Sequence, residues 1–398
     1  MLRFILRRVF VAIPLLFFSS ILTFLLVTNI GTPLKIENAI AKPNASQAQI
    51  DSLRKQFGLD KGPFERYVDW FTNFIKGDWG KNYNGAEIKP LMWEAMQVTV
   101  RLLLVATIVS VLLGVLVGVI GAIRQYTIFD YVMTFSAFLF FSIPTAVLAG
   151  FLKEWGAIKL NPWLREPSMS TTMLVILSLL GLLCGFLVMK NRLKFEREKP
   201  ANKYVLAALA GLGLVIGAII VFKVVWDGNV YRKGNGKPLI PTVGQSTPGF
   251  KGAWWERVQD SFWHMVLPSL ALILIGFAGY SRYMRASMLD VMSSDYVRTA
   301  RAKGISERRV TALHGVRNAL IPLITIVALD FGALLSGAII TETIFGWSGM
   351  GRFFTDALTQ RDPRSLLAFV MVTAVSVVLF NLIADIVYAQ LDPRIRIG

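Results

Sequence analysis

The sequence has few residues of the types that bind metals or form disulfides. Among its 398 residues there is one cysteine, Cys184, and there are two histidines, His264 and His314, which lie far apart in the chain. A single cysteine cannot form an intrachain disulfide, and these three side chains make no recognisable metal-binding set. We therefore predict no metal site in this chain.

Nucleotide-binding and hydrolase motifs are also missing. The sequence has no G-x-x-x-x-G-K-[ST] phosphate loop, no H-E-x-x-H and no G-x-S-x-G. Without the phosphate loop, the chain does not bind ATP in the way that P-loop motors do. The other two absences argue against the most obvious membrane hydrolases. We predict that the protein is not an enzyme and has no catalytic residue and no cofactor of its own.

Charged residues are scarce, at 17% of the chain, whereas 54% of the residues are hydrophobic. This composition is too apolar for a soluble enzyme and indicates a polytopic membrane protein. The formal net charge of +17 could suggest a nucleic-acid partner, but the Lys and Arg residues cluster in short loops between apolar runs. Such loops orient a chain in the membrane, so no nucleic-acid partner is predicted.

The apolar runs predict an all-α integral membrane protein with eight transmembrane helices. The first run is too long for a signal peptide and is not followed by a small-residue cleavage site. Arg3, Arg7 and Arg8 precede it, which places the N-terminus in the cytoplasm. The predicted spans are approximately 10–30, 98–122, 132–152, 172–189, 204–222, 264–284, 321–340 and 366–389.

We divide the chain into five segments around these spans. The stretch KNRLKFEREKPANK separates two of the spans, and its basic character places it inside. An added pair of helices returns the chain to the outer side, so parity favours eight spans over six or seven and leaves both termini cytoplasmic. The segments are 1–30 with the first span, 31–97 as an outer amphipathic region, 98–155 with spans two and three, 156–260 as an insertion with two spans and an outer loop, and 261–398 as the C-terminal part with a cytoplasmic loop, 293–322.

Helix signals are clear in the outer region. Ser46 with Gln49 is a plausible capping box, and Gly58 is expected to end the helix that follows. Pro63 is expected to open a second helix, because proline is favoured at the first helical position. Its apolar residues predict a helix that lies on a surface or packs against the core: Phe64, Tyr67, Val68, Phe71, Phe74 and Ile75.

The cytoplasmic loop is a long, basic, helix-forming segment between two apolar spans. Ser293 or Ser294 can cap a short helix, which Gly304 then ends by adopting a left-handed conformation. Ser306 can cap a second helix that continues to Pro322. The basic residues of the loop would fix the topology in any case, but they also suit a docking helix for a cytoplasmic partner.

The residues of this loop carry a family resemblance. DYVRTARAKGISERRV followed by HGVRNALIPLIT resembles the cytoplasmic loop of ABC-importer permeases in their dipeptide/oligopeptide form. Four other stretches resemble the same subfamily, in the same order along the chain: RKQFGLDKGP, GDWGKNY, ETIFGWSGMG and NLIADIVYAQLDPRIRIG. The resemblance implies the type I permease fold, with a six-helix core to which 156–260 adds a pair.

The resemblance also implies partners. A second, similar permease would complete the pathway, two ABC ATPases would bind ATP and magnesium, an extracytoplasmic binding protein would deliver peptide, and membrane lipid of a bacterial or archaeal cell membrane would surround the chain. The loop would fit a cleft on an ATPase. The residues that the resemblance assigns to this coupling are Asp295, Tyr296, Arg298, Thr299, Ala300, Arg301, Lys303 and Gly304.

Three carboxylates in or near the spans have two interpretations each, because ionisable groups inside a bilayer are costly. Asp330 could face the pathway and attract the amino terminus of a peptide, or it could be hydrogen-bonded against another helix. Glu342 is expected to pack a Gly-rich re-entrant turn, with gating as the alternative. Asp385 is expected to join a network with the arginines of the inner loop, with contact with the substrate as the alternative.

Two alternatives stay open at the level of function. Similar permeases import nickel chelates, glutathione or oligosaccharides, and the binding protein largely chooses the cargo. A stand-alone secondary carrier is the rival from another class, and it would be expected to show internal repeats and broken helices with acidic sites. No convincing repeat is present in the sequence.

Overall fold

The computed structural model describes residues 2–41, 46–56, 58–165, 171–192, 205, 207–213, 215–216 and 240–391. These residues form helices and connecting turns, with one isolated bridge between Lys81 and Glu87 and no strand within the described ranges. The all-α prediction is confirmed. In chain order the helices are α1 (Leu2–Thr28), α2 (Leu34–Ile40), α3 (Gln47–Gln56), α4 (Pro63–Lys76), α5 (Ile88–Ile123), α6 (Ile128–Ser142), α7 (Thr145–Lys153), α8 (Leu160–Arg165), α9 (Thr171–Arg192), α10 (Trp254–Met292), α11 (Asp295–Ala302), α12 (Arg317–Gly337), α13 (Ile339–Phe345), α14 (Met350–Thr359) and α15 (Pro363–Leu391).

Five helical segments in the described part of the chain are long and apolar enough to cross a membrane. They lie in α1, α5, α10, the segment Glu307–Val327 and α15. Helix α6 and the helix that begins at Thr145 are bent by 101° and would add a sixth span if they cross together. A multi-pass membrane protein is therefore confirmed. The count of eight stays a prediction, because part of the predicted span 204–222 lies outside the described residues.

Helices α5 and α10 run in the same direction and pack against each other. They approach closely because glycines leave space for the neighbouring backbone at their interface. A Cβ atom on Gly114 would lie 2.7 Å from Tyr280 Cβ, and one on Gly118 would lie 2.7 Å from Met284 Cβ. From α10, a Cβ on Gly276 would come within 2.8 Å of the Ser110 hydroxyl. The small residues let the two backbones approach closely, as their helical spacing predicts.

Helices α1 and α15, the first and last of the chain, pack antiparallel. Phe24 lies in one buried cluster with Leu366 and Leu367 at one end of the pair. At the other end Arg8 makes two bonds with Asp385, from Nε to Oδ2 at 3.1 Å and from Nη2 to Oδ1 at 3.2 Å. The partner of Asp385 is therefore an arginine of the first helix and not, as we expected, an arginine of the inner loop.

The two helix pairs define two ends of the bundle. Residues 29–87 connect α1 to α5. At the start of α5, Ile88 lies in one buried cluster with Phe369 of α15. We call this the distal end. The opposite end carries the start of α1, the end of α10 and helix α11, and we call it the loop end.

Helix α4 covers the distal end of α1 with aromatic side chains. It begins at Pro63, and Gly58 has a φ of 70°, so both local signals act as predicted. Tyr67 lies 5.4 Å from Phe24, ring centroid to ring centroid, and its hydroxyl is 2.8 Å from that of Ser20. Aromatic pairs of this kind contribute about 0.5–1.5 kcal/mol beyond the area they bury.

Residues 154–241 form a second compact unit. Within it, Cβ atoms on Gly185 and Gly211 would overlap the backbone oxygens of Ala207 and Gly181, so two helical segments cross here at very close range. Asn161 also exchanges two hydrogen bonds with the backbone of Ile240, at 2.8 and 3.0 Å. Residues 242–260, which we assigned to the insertion, belong to the first unit.

Candidate coupling surface and buried carboxylates

Helix α11 at the loop end is a short helix with a glycine stop. Gly304 has a φ of 75°, and its N–H donates to the Arg301 oxygen at 2.9 Å. The Ile305 N–H donates to the Ala300 oxygen at 3.3 Å, which completes the turn. A left-handed glycine ends the helix, as the sequence predicts. The expected serine cap is wrong, since the Ser294 hydroxyl donates to the Val291 oxygen and makes no capping bond.

Helix α11 is held by a small apolar cluster of the loop itself. Val297 and Val310 are fully buried, and Ala300 is 4% exposed. Val291 and Met292 at the end of α10 pack against these three side chains. The cluster fixes α11 to the end of α10. Ala300, one of the eight predicted coupling residues, therefore faces the loop's own core.

The opposite face of α11 is polar and exposed. Arg298 has 72% of its side chain exposed, and Asp295 has 98%. Tyr296 is 45% exposed. The guanidinium of Arg301 is 2.8 Å from a carboxylate oxygen of Glu307, so the turn between the two helical segments is braced by an ion pair. The remaining predicted residues, Thr299, Lys303 and Gly304, are exposed on the same loop.

The second helix of the loop differs from the prediction. An α-helix covers only Glu307–Arg309, and a π-helical turn, Val310–Val316, follows before α12. Because a π turn is wider than an α turn, Val310 is buried while Leu313 is 49% exposed. Val310 and Leu313, three positions apart, therefore do not share one buried face.

An ion pair that the sequence did not reveal joins three elements near the loop end. Arg285 of α10 donates from Nε and Nη2 to the two oxygens of Asp130, at 2.9 and 2.8 Å. Asp130, in the first turn of α6, is 4% exposed and also accepts the N–H of Tyr126 at 3.1 Å. This bidentate pair ties α10 to the turn between α5 and α6. The signal available in the sequence was a pair of arginines, Arg282 and Arg285, near the end of a long and mostly apolar helix.

Asp330 lies in α12 and receives a hydrogen bond from the side chain of Tyr280 in α10. Tyr280 itself is 4% exposed and belongs to a cluster with Met284 and Leu323. The carboxylate is half-buried. This contact fits the interpretation in which Asp330 is hydrogen-bonded against another helix. A half-buried carboxylate with one neutral partner can still accept further hydrogen bonds, however.

Glu342 is fully buried at the start of the Gly-rich turn. Its Oε1 accepts the Thr99 hydroxyl at 2.5 Å, and its Oε2 accepts the backbone N–H of Gly351 at 2.7 Å and that of Arg352 at 3.3 Å. The carboxylate therefore satisfies the first N–H groups of α14, where a negative charge also interacts favourably with the helix dipole. Thr99 receives the Met350 N–H at 2.8 Å and links this cap to α5. The packing role of Glu342 stays a prediction, and these contacts are the geometry on which it rests.

The sequence matches two family descriptions that together cover nearly the whole chain. Residues 110–397 match "Binding-protein-dependent transport system inner membrane component", and residues 1–92 match "Binding-prot-dependent transport system membrane comp, N-term". One curated relative is an oligopeptide transport system permease protein of Mycobacterium tuberculosis, 32% identical over 399 residues and covered completely in both chains. Others are an oligopeptide permease of Bacillus subtilis, 30% identical with 99% of each chain covered, and a dipeptide permease of Escherichia coli, 30% identical with 100% of this chain and 99% of the relative covered.

Proposed function

Since this chain belongs to the family of binding-protein-dependent transport system inner membrane components, we propose that it is the permease subunit of an ABC importer for dipeptides or oligopeptides. The resemblance seen in the loop and in four other stretches is thereby confirmed. The peptide cargo rests on the names of the relatives, which include oligopeptide and dipeptide permeases. Nickel chelates, glutathione and oligosaccharides are the alternative cargoes.

The observation that carries the coupling proposal is the two-faced construction of α11. Its apolar face, Val297 and Ala300, is buried against the end of α10, and its polar face is exposed. A short helix held in this way is rigid and presents charged side chains outward. We propose that Asp295, Tyr296, Arg298, Thr299, Arg301, Lys303 and Gly304 bind a cleft of an ATPase subunit, and that Ala300 supports them from within.

Charge supports an inward orientation for the loop end. The segment 295–309 has five basic and two acidic side chains, and all seven of those residues are exposed. Arg8 and Arg124 lie at the same end. Because cytoplasmic loops carry an excess of Lys and Arg, the loop end would lie in the cytoplasm together with both termini. The distal end would then face the extracytoplasmic binding protein.

The chain supplies a pathway and not the energy for transport. It lacks a phosphate loop, so ATP and magnesium would be bound by two partner ATPases and the chain would have no enzymatic activity. A second permease would form the other half of the pathway. Movement of the ATPases would shift α11, and the buried cluster between α11 and α10 would pass this shift on to α10. The ATPase sites and the pathway would then be coupled through two states of the permease.

Asp330 is our candidate for contact with the substrate. It is half-buried, and the side-chain hydrogen bond that it accepts comes from the neutral hydroxyl of Tyr280. The amino terminus of a peptide is positively charged. It would give this carboxylate a charged hydrogen-bond donor in addition to the neutral hydroxyl. For Glu342 we propose the capping role, with gating as the alternative, because its two oxygens are already engaged by Thr99, Gly351 and Arg352.

Copurification tests this proposal directly. A tagged chain, extracted gently from native membranes, should bring with it a second permease and one or two P-loop ATPases. Reversing two exposed charges, Arg298→Glu with Lys303→Glu, should release the ATPases while the second permease stays bound. Arg257→Glu, an exposed charge at the distal start of α10, is the matched control. If the untagged partners are absent and the chain alone transports a substrate, it is a carrier and the proposal fails.

A further inference from the structure

A cavity of about 280 Å³ lies at the distal end, where α1 and α15 meet. Phe24 and Thr28 of α1 line one side, and Pro363 and Leu367 of α15 line another. Trp70 of α4 contributes to the wall. Since α1 is a candidate span that ends at Thr28, the cavity lies at the depth where a membrane's apolar interior gives way to its headgroups.

The lining of this cavity carries an excess of positive charge. Four basic side chains and two acidic ones contribute to it: Lys55, Lys61, Arg66, Arg364, Asp69 and Asp78. Both carboxylates already have partners within the chain. Asp69 is 2.5 Å from the Lys61 ammonium, and Asp78 accepts the Gly80 N–H at 3.0 Å. Among the described residues, the ion pairs at this cavity engage neither Lys55 nor Arg66, so the positive charge of these two side chains is available to a ligand.

Arg66 is the central feature of the cavity. Its guanidinium lies over the ring of Phe24, 5.9 Å from the centroid, and the residue is half-buried. Among the described residues, the ion pairs at this cavity engage Lys61 and not Arg66. Burial alone lowers the pKa of Arg66, with no carboxylate opposing it. A partly buried cation without a counter-ion is costly, and an anion from outside the chain would remove that cost.

Helix α4 brings this cavity to a membrane surface. Its side facing away from α1 exposes Phe64 at 81%, Val68 at 43% and Ile75 at 68%. These residues recur at helical spacing, and their exposed stripe suits a helix that lies in the interface with its apolar side among acyl chains. Arg66 is on the same helix, so an anion within reach of it at this depth would belong to a phospholipid.

We propose that this cavity binds the phosphate group of an anionic phospholipid headgroup, with Arg66 as the principal ligand and Lys55 beside it. Guanidinium groups bind phosphate oxygens with two parallel hydrogen bonds, which a planar side chain favours. The stripe on α4 would contact the acyl chains of the same or neighbouring lipids. The site is separate from the coupling loop and from Asp330, and it holds for any function of the chain in a membrane.

The test compares lipids and variants on the full chain with whatever partners copurify. Binding of phosphatidylglycerol and of phosphatidylcholine would be measured by native mass spectrometry of the protein released from nanodiscs of each composition. We expect the wild type to retain phosphatidylglycerol in preference to phosphatidylcholine. Arg66→Gln should weaken the retention about tenfold or more, as expected when one charged hydrogen-bond donor is lost.

Two further variants keep the result interpretable. Lys76→Gln removes an exposed charge from the last turn of the same helix, outside the cavity, and should bind as the wild type does. Lys55→Gln changes an exposed cavity residue without disturbing packing, so it should give a few-fold loss even if Arg66→Gln misfolds. Equal retention of the two lipids by the wild type, or unchanged retention by Arg66→Gln, would overturn the proposal. Displacement of the lipid by millimolar inorganic phosphate would identify free phosphate as the ligand of the same anion site.

Discussion

Replacement of Gly304 by valine should uncouple the permease without preventing its insertion. At Gly304 φ is 75°, and no atom lies within 4 Å of the place where a Cβ would stand. The cost is therefore one of backbone conformation and not of collision, about 1–2 kcal/mol for a residue with a side chain. A cost of this size lowers the ratio of ordered to disordered loop about 5- to 30-fold. Helix α11 would lose its stop, and the exposed face would lose its fixed direction.

The assay is ATP-driven peptide uptake in vesicles, with ATPase copurification and membrane level measured on the same samples. Gly249→Val is the matched control, since Gly249 has a φ of 71° and equally open surroundings in a loop at the distal end. Gly304→Asn should largely restore uptake, because asparagine tolerates the left-handed region. Normal uptake by Gly304→Val, or an equal loss with Gly249→Val, would refute the role given to this turn.

Three other substitutions test other parts of the structure. Asp330→Asn should raise the KM for peptides with a free amino terminus about tenfold or more, because these peptides offer a cation to the carboxylate. The KM for N-acetylated peptides should not change. If the variant and the wild type take up both kinds of peptide equally, Asp330 has a structural role. Glu342→Leu should lower the unfolding temperature of the purified chain, since each buried donor left unpaired costs about 1–3 kcal/mol. Glu342→Gln should leave the unfolding temperature almost unchanged. A Glu342→Gln variant that is stable but cannot transport would instead indicate gating. Gly118→Leu should also destabilise, by about 1–3 kcal/mol, because its Cβ would lie 2.7 Å from Met284 Cβ and force α5 and α10 apart, and an unchanged unfolding temperature would contradict this packing.

Features that depend on neighbouring residues were predictable from the sequence. Gly58 and Gly304 adopt positive φ, and Pro63 opens α4, because these residue types restrict or free the backbone wherever they occur. The close approach at Gly114 and Gly118 followed from spacing on one helix. The family resemblance rested on the same kind of contiguous sequence.

Contacts between distant residues were not predictable in the same way. Arg285 and Asp130 are separated by 155 positions, and Thr99 and Glu342 by 243. No local period relates such residues, so their meeting depends on which helices become neighbours. For Glu342 the sequence indicated a packing role but not the partners. For Asp385 it suggested arginines close to the membrane face, but the wrong ones.

The capping error at Ser294 has a local cause. A serine before a helix can accept from the helix or donate back to the preceding turn, and both bonds are available to it. Here α10 ends two residues before α11 begins, so the carbonyl of Val291 is within reach of the hydroxyl. The sequence identified the helix boundary correctly, but it did not determine the direction of the hydrogen bond.

The pairing of α1 with α15 bears on how the protein is made. Helix α1 leaves the ribosome long before the helix that buries Phe24 and pairs with Arg8, because Asp385 follows Arg8 by 377 positions. Throughout synthesis α1 must therefore reside in the membrane with its packing face occupied by lipid or by the insertion machinery. A chain that stops short of α15 keeps that face open, and membrane proteases could recognise it as unfinished.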